Sequence, residues 1–166
     1  MKALVVYESL WGNTAAVAES IAAGIGPGAR AVPTGSADAT EVVDADLIVA
    51  GAPVLGFSLP TDAMRDNVAR TEAGAPRPPD LSQPSMRSWL ESLPAGHART
   101  AAFETRIWWS PRGATGDIEK RFERAGYHRI APAKKFLVED KYGPLRAGEL
   151  EKAHAWGQEL ARSLPG

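Results

Sequence analysis

Two short runs, Ala3-Leu4-Val5-Val6-Tyr7 and Leu47-Ile48-Val49-Ala50-Gly51, are apolar at almost every position. A strand with one wet face alternates apolar and polar residues, whereas a strand covered on both faces does not. Both runs are too short for an ordinary helix. They predict central strands of a parallel sheet with helices packed on either side, which commits the chain to an α/β architecture. At 166 residues the chain suits one domain, taken as residues 1–166, with a full core.

The remaining segments alternate in the same sense. Residues 14–25 carry Val17, Ile21 and Ile25 at helical spacing, and Gly26-Pro27-Gly28 stops them. A weak strand is predicted over 29–32, and Asp38 is a candidate cap for a short helix through Val43. A helix over 84–93 would turn Met86, Trp89, Leu90 and Leu93 inward, and 99–103 reads as a strand. Residues 117–125 place Ile118, Phe122 and Ala125 on one face, 135–138 is a final strand, and 149–164 is a closing helix. That last helix should face the sheet with Leu150, Ala153, Gly157, Leu160 and Leu164. Between 52 and 83 the pattern breaks. A short helix over 62–68 is expected, but Ala73-Gly74-Ala75-Pro76-Arg77-Pro78-Pro79 supports neither helix nor sheet. This excursion reads as a functional loop rather than a linker.

Composition excludes several classes of function. There is no cysteine, hence no disulfide, thiolate metal site or thiol nucleophile. His97, His128 and His154 lie in unrelated segments, so no metal site is predicted. The net charge is −1, although residues 1–80 hold 5 Lys/Arg against 10 Asp/Glu and residues 81–166 hold 14 against 10. The basic pair Lys134-Lys135 is too short for a nucleic-acid footprint. No apolar run approaches the roughly 20 residues of a membrane span. The opening residues run straight into a strand without a signal-peptide pattern, so a cytoplasmic protein without nucleic-acid or membrane partners is the expectation. Gly56-Phe57-Ser58-Leu59-Pro60 lacks the second glycine of a hydrolase elbow, and no catalytic residue is assigned.

The chemistry concentrates after the first strand, in Ser9-Leu10-Trp11-Gly12-Asn13-Thr14. A helix start offers unpaired N–H groups and partial positive charge, which suits a phosphate. Gly12 permits close backbone approach, and Ser9, Asn13 and Thr14 add side-chain donors. The loop holds no Lys or Arg, so a phosphate would be bound by neutral dipoles. Neither the Gly-Lys-Ser/Thr element nor the dinucleotide Gly-x-Gly-x-x-Gly turn is present. Helix capping alone would account for the same residues.

Residues 3–25 resemble the start of flavodoxins, whose phosphate loop reads Ser/Thr-x-x-Gly-x-Thr. The order of later elements is similar too: the strand at 47–51 before Ala52-Pro53, Ala101-Ala102-Phe103 before Glu104-Thr105-Arg106, and the ending through Gly143-Pro144-Leu145 to Trp156-Gly157. The whole resembles the small flavodoxin-family proteins of high-GC bacteria. The resemblance implies a three-layer fold with a five-stranded parallel sheet in the known flavodoxin order 2-1-3-4-5. It also implies FMN at the C-terminal edge of the sheet, with 9–14 as phosphate loop and two further loops around the ring.

One of those loops would be Pro53, Val54, Leu55, Gly56 and Phe57, where Gly56 could permit a peptide flip toward the ring nitrogen N5. Aliphatic Val54 and Leu55 depart from the aromatic residues many flavodoxins place there, leaving Phe57 as the aromatic candidate. The other would be Glu104, Thr105, Arg106, Ile107, Trp108 and Trp109, through Gly113. Adjacent tryptophans in an extended segment point oppositely, so one would pack on the sheet and the other stack on a ligand. Arg106 and Arg112 read either as surface residues or, if they stand beside the ring, as cations that would favour an anionic reduced flavin and raise its potential. The implied function is FMN-dependent redox work, as an electron carrier or a small flavin reductase, with a redox partner protein or a small-molecule electron acceptor. The competing reading is a binding or regulatory module of the same fold that has lost FMN. The oligomeric state is open.

Overall fold

A computed structural model describes residues 1–165. The continuous apolar runs form the centre of the sheet because their alternate side chains enter two different cores. From β1 (Ala3–Tyr7), Ala3 and Val5 enter one core while Leu4 and Val6 enter the other. β3 (Leu47–Pro53) divides likewise, Leu47 and Val49 against Ile48 and Ala50. One layer holds α1 (Asn13–Ile25) and α6 (Glu149–Ser163). The opposite layer holds α2 (Ala39–Asp44), α4 (Met86–Glu91) and α5 (Thr115–Arg124). Between β3 and α4, α3 (Asp62–Thr71) lies within the excursion, and β2 (Ala29–Pro33) flanks β1.

All strand pairs are parallel, in the order β2-β1-β3-β4-β5. The predicted order is therefore present. The far edge differs in detail: β5 (His128–Arg129) and β6 (Lys134–Val138) both pair with β4, one at each end. They are two pieces of an interrupted edge strand. Ile130 N–H still donates to Thr100 O at 2.8 Å, but Pro132, which lacks an N–H, stands in the gap.

Two further corrections bear on the site. β4 runs Arg99–Ile107, so Glu104, Thr105 and Arg106 belong to a strand rather than to a loop. Their polarity hides this, although Glu104 and Arg106 pair with each other within the strand. In α6, Leu150 is 41% exposed instead of facing the sheet. The inward stripe is Glu149, Ala153, Trp156, Gly157 and Leu160, and Glu149 accepts a hydrogen bond from Leu137 N–H at 2.7 Å. Trp156 meets Phe136, which meets Phe103, in an aromatic column between α6 and the sheet.

Candidate functional site

The C-terminal ends of β1, β3, β4 and β6 share one edge of the parallel sheet. Their loops enclose a cavity of about 340 Å³, the size of a small-molecule site. Of the residues predicted from sequence, Leu10, Trp11, Asn13, Thr14, Pro53, Val54, Leu55, Gly56, Phe57, Thr105 and Arg106 line it. Ser9, Gly12, Glu104, Trp108 and Trp109 do not.

The turn after β1 retains much of its donor capacity. Gly12 stands at the N-cap of α1 with a φ of 89°, in the left-handed region where glycine is unstrained. Ser9 turns back on the loop: its Oγ accepts from Gly12 N–H at 3.1 Å and Ala15 N–H at 3.2 Å. Among the described residues, no hydrogen bond uses the N–H of Trp11, Asn13 or Thr14. Ser9 therefore braces the turn, and three amides remain free. Thr14 Oγ1 lies 2.8 Å from Thr105 Oγ1, joining the loop to β4 inside the protein.

The second wall is a tight reversal. Leu55 and Ser58 exchange both backbone hydrogen bonds, at 2.9 and 3.1 Å, around Gly56 (φ 55°) and Phe57 (φ 63°). Two positive φ values make a primed two-residue hairpin turn. Glycine tolerates this, but Phe57 is strained by about 1–2 kcal/mol. Phe57 packs edge-on against Trp109, with centroids 5.9 Å apart. Trp108 and Trp109 are 64% and 55% exposed, so neither packs on the sheet. They lie in the turn just past the end of β4, beyond the register that would seat one of them.

The third wall ends in Arg106, whose side chain is only 13% exposed. One guanidinium nitrogen is 3.2 Å from Glu104 Oε2, and another donates to Ser110 O. Its Nε is buried without a partner. Glu104 itself accepts from Ala114 N–H at 3.0 Å and Thr115 N–H at 3.1 Å. It caps α5 and holds Arg106 in place, and does not itself line the cavity.

Sequence reasoning missed the fourth wall, Val138 and Lys141. The signal was available. A final parallel strand must end at the same edge as the others, so its following loop borders the same crevice. Glu72, from the excursion, pairs with Lys141 and accepts the Tyr142 hydroxyl. These two bonds hold its carboxyl below the usual range. Trp11 donates its indole N–H to Arg77 O at 2.9 Å, and Asp80 N–H donates to Leu10 O at 2.8 Å. The excursion therefore fastens onto the 9–14 loop. At its root, buried Glu8 pairs with Arg65 at 2.7 Å and accepts from Met86 N–H at 2.9 Å. Burial pushes Glu8 up, while Met86 and Arg65 pull it down.

No protein-family model matches the sequence, and a search of curated proteins finds no match. Solved structures do match. A flavodoxin from the domain Archaea has a TM-score of 0.68 at 21% identity, with 99% of each chain covered. This chain has the flavodoxin fold. Oxidised flavodoxin 1 from Bacillus cereus has a TM-score of 0.69 at 18% identity, covering 99% of this chain and 100% of that one. The same fold matches part of a larger protein, rubredoxin oxygen:oxidoreductase from Desulfovibrio gigas. There the TM-score is 0.60 at 16% identity, covering 98% of this chain and 36% of that one. At these identities the likeness concerns the fold, and the ligand must be argued from the site.

The donor set fits FMN on two counts. Unspent amides stand at a helix N-terminus, where a phosphate is favoured. Two cations, Arg106 and Lys141, also line the cavity, which suits an anionic ligand. Among the described residues there is no cluster of three or more His, Cys, Asp or Glu that could hold a metal, and no helix is long and apolar enough to cross a membrane.

Proposed function

We propose that this chain binds one FMN at the C-terminal edge of its sheet and works as a redox protein. Bound there, FMN supplies one- or two-electron transfer. The observation that carries the reading is the cavity itself, with Trp11, Asn13 and Thr14, whose amides are free, among its lining residues. In this reading Trp11, Asn13 and Thr14 bind the phosphate, with Ser9 holding their turn open. Val54 and Leu55 exclude water from one side of the ring. Arg106 donates to a polar edge of the ring, kept from swinging away by Glu104 and Ser110. Strain of the kind seen at Phe57 is often kept at ligand clamps. It supports a turn whose central peptide rearranges when a ligand engages it.

The test is a titration of the full chain with FMN. Flavin fluorescence should be quenched at stoichiometric addition. At a hundredfold excess over Kd, binding should stabilise the fold by about 2.7 kcal/mol, raising Tm. Absence of both effects at millimolar FMN removes the redox assignment and favours a module without flavin.

Arg106 also sets an expectation for the potential. A cation beside the ring favours a negatively charged reduced form. Here the buried Glu104 carboxylate offsets much of that charge, so a modest effect is expected. Arg106→Ala should make the two-electron potential more negative by about 30 mV, equivalent to about 1.4 kcal/mol. A redox titration showing no change would mean that Arg106 serves the wall alone.

A further inference from the structure

The 9–14 loop contains no basic residue, yet the fold brings one to it from far along the chain. Lys141 lines the cavity together with Trp11, Asn13 and Thr14. Its Nζ stands 5.9 Å from the centre of the Trp11 ring and 5.6 Å from that of Tyr142. The segment carrying it is tied to the loop. Asn13 Nδ2 donates to Tyr142 O at 3.1 Å, and the Trp11 and Tyr142 rings meet edge to face at 5.2 Å. Arg106, the other cation lining the cavity, is committed to Glu104 and Ser110.

We propose that Lys141 is a phosphate-binding residue whose charge makes the site select a flavin bearing a terminal phosphate over the unphosphorylated flavin. The proposal rests on the FMN reading above. A phosphate monoester carries about −1.5 to −2 charges at neutral pH. A helix N-terminus supplies only about half a positive charge, so amides alone leave most of the dianion unbalanced. Lysine ammonium is a compact charge with three donors. It can keep its bond to Glu72 and still donate to a phosphate oxygen. Glu72 stays ionised at neutral pH, since its bonds from Lys141 and Tyr142 lower its pKa. The carboxylate therefore holds Lys141 beside the loop before any ligand arrives, and the ordering of a long side chain is already complete.

The test uses the full chain titrated with FMN and, separately, with riboflavin, at low and high salt. Lys141→Met should weaken FMN by about 10- to 100-fold, the range of one charge-assisted hydrogen bond. Riboflavin affinity should change less than about twofold, and the salt dependence of FMN binding should flatten. Lys141→Arg should restore most of the preference for FMN. Glu72→Gln, whose amide oxygen can still accept from Lys141 while the competing charge is gone, should change FMN affinity far less than Lys141→Met. Equal weakening of both flavins by Lys141→Met would overturn the proposal, leaving Lys141 as a brace for the wall. So would loss of FMN affinity in Glu72→Gln matching that in Lys141→Met. Unchanged FMN affinity in Lys141→Met, with the parent binding FMN, would overturn this proposal alone. A parent protein that binds neither flavin would overturn the FMN reading as well.

Discussion

Replacing Arg65 with methionine should cost about 3–5 kcal/mol of stability at neutral pH, the effect of stranding a buried charge. The charge in question is Glu8, which is 1% exposed at the end of β1. Arg65 is its ion-pair partner and also donates to Gln83 O at 2.6 Å. Methionine keeps most of the stem and removes the guanidinium. Glu8 would retain Met86 N–H as a donor, one hydrogen bond against the desolvation of a full charge. The loss should depend on pH in a defined sense. Burial already raises the Glu8 pKa, and removing Arg65 raises it further. A carboxyl with a raised folded-state pKa favours folding most below its unfolded pKa and loses that benefit as pH rises through the folded value. The deficit of the variant should therefore shrink as pH falls from neutral toward the carboxylate range. Urea unfolding at a series of pH values reads this directly, and a deficit constant with pH would refute it. Glu8→Gln on the Arg65→Met background should recover much of the loss, because neither charge is then left alone. The consequence for function is local. This pair ties α3 and the following chain to the end of β1, from which the 9–14 loop departs, so the variant should also bind FMN more weakly.

The second large effect is expected at the crossing of α1 and α6. A methyl group on Gly157 would overlap the backbone carbonyl of Ile21, and one on Gly24 would overlap that of His154. Both obstacles are main chain, so no side chain can rotate away and the helices must part. Gly157→Ala should cost up to about 3 kcal/mol, the upper end for overpacking, even after alanine's better helix propensity is credited. Gly116 in α5 provides the contrast, since nothing lies within 4 Å of its added methyl. Gly116→Ala should stabilise by about 0.5 kcal/mol. Thermal unfolding of the two variants should shift Tm in opposite directions, and a neutral Gly157→Ala would show that the helices separate at no cost. Displacing α1 also moves its N-terminus, which carries Asn13 and Thr14, so FMN affinity should fall in Gly157→Ala and stay unchanged in Gly116→Ala.

The architecture was legible because it rests on short-range patterns. Val5 and Val6 cannot both be buried unless the strand is covered on two faces, and Val17, Ile21 and Ile25 can share a core only as a helix. The parallel order then places the ends of β1, β3 and β4 together, so most lining residues could be named in advance. Leu150 and the tryptophan pair show where pattern fails. An apolar residue at a helix start or past a strand end satisfies the period without being pressed against anything. Glu104 and Arg106 show the opposite failure, charged residues that read as a loop but continue the strand, paired with each other and with Glu104 also held by the Ala114 and Thr115 amides. The sequence alone thus determined the layered scaffold and the amide-rich turn at its edge. Only the tertiary structure decided which polar groups remain free there and which cation stands nearby. Lys141 meets Trp11, and Glu72 meets Lys141, across long stretches of chain. Such contacts depend on how separate loops settle over one sheet edge, and no local periodicity encodes that.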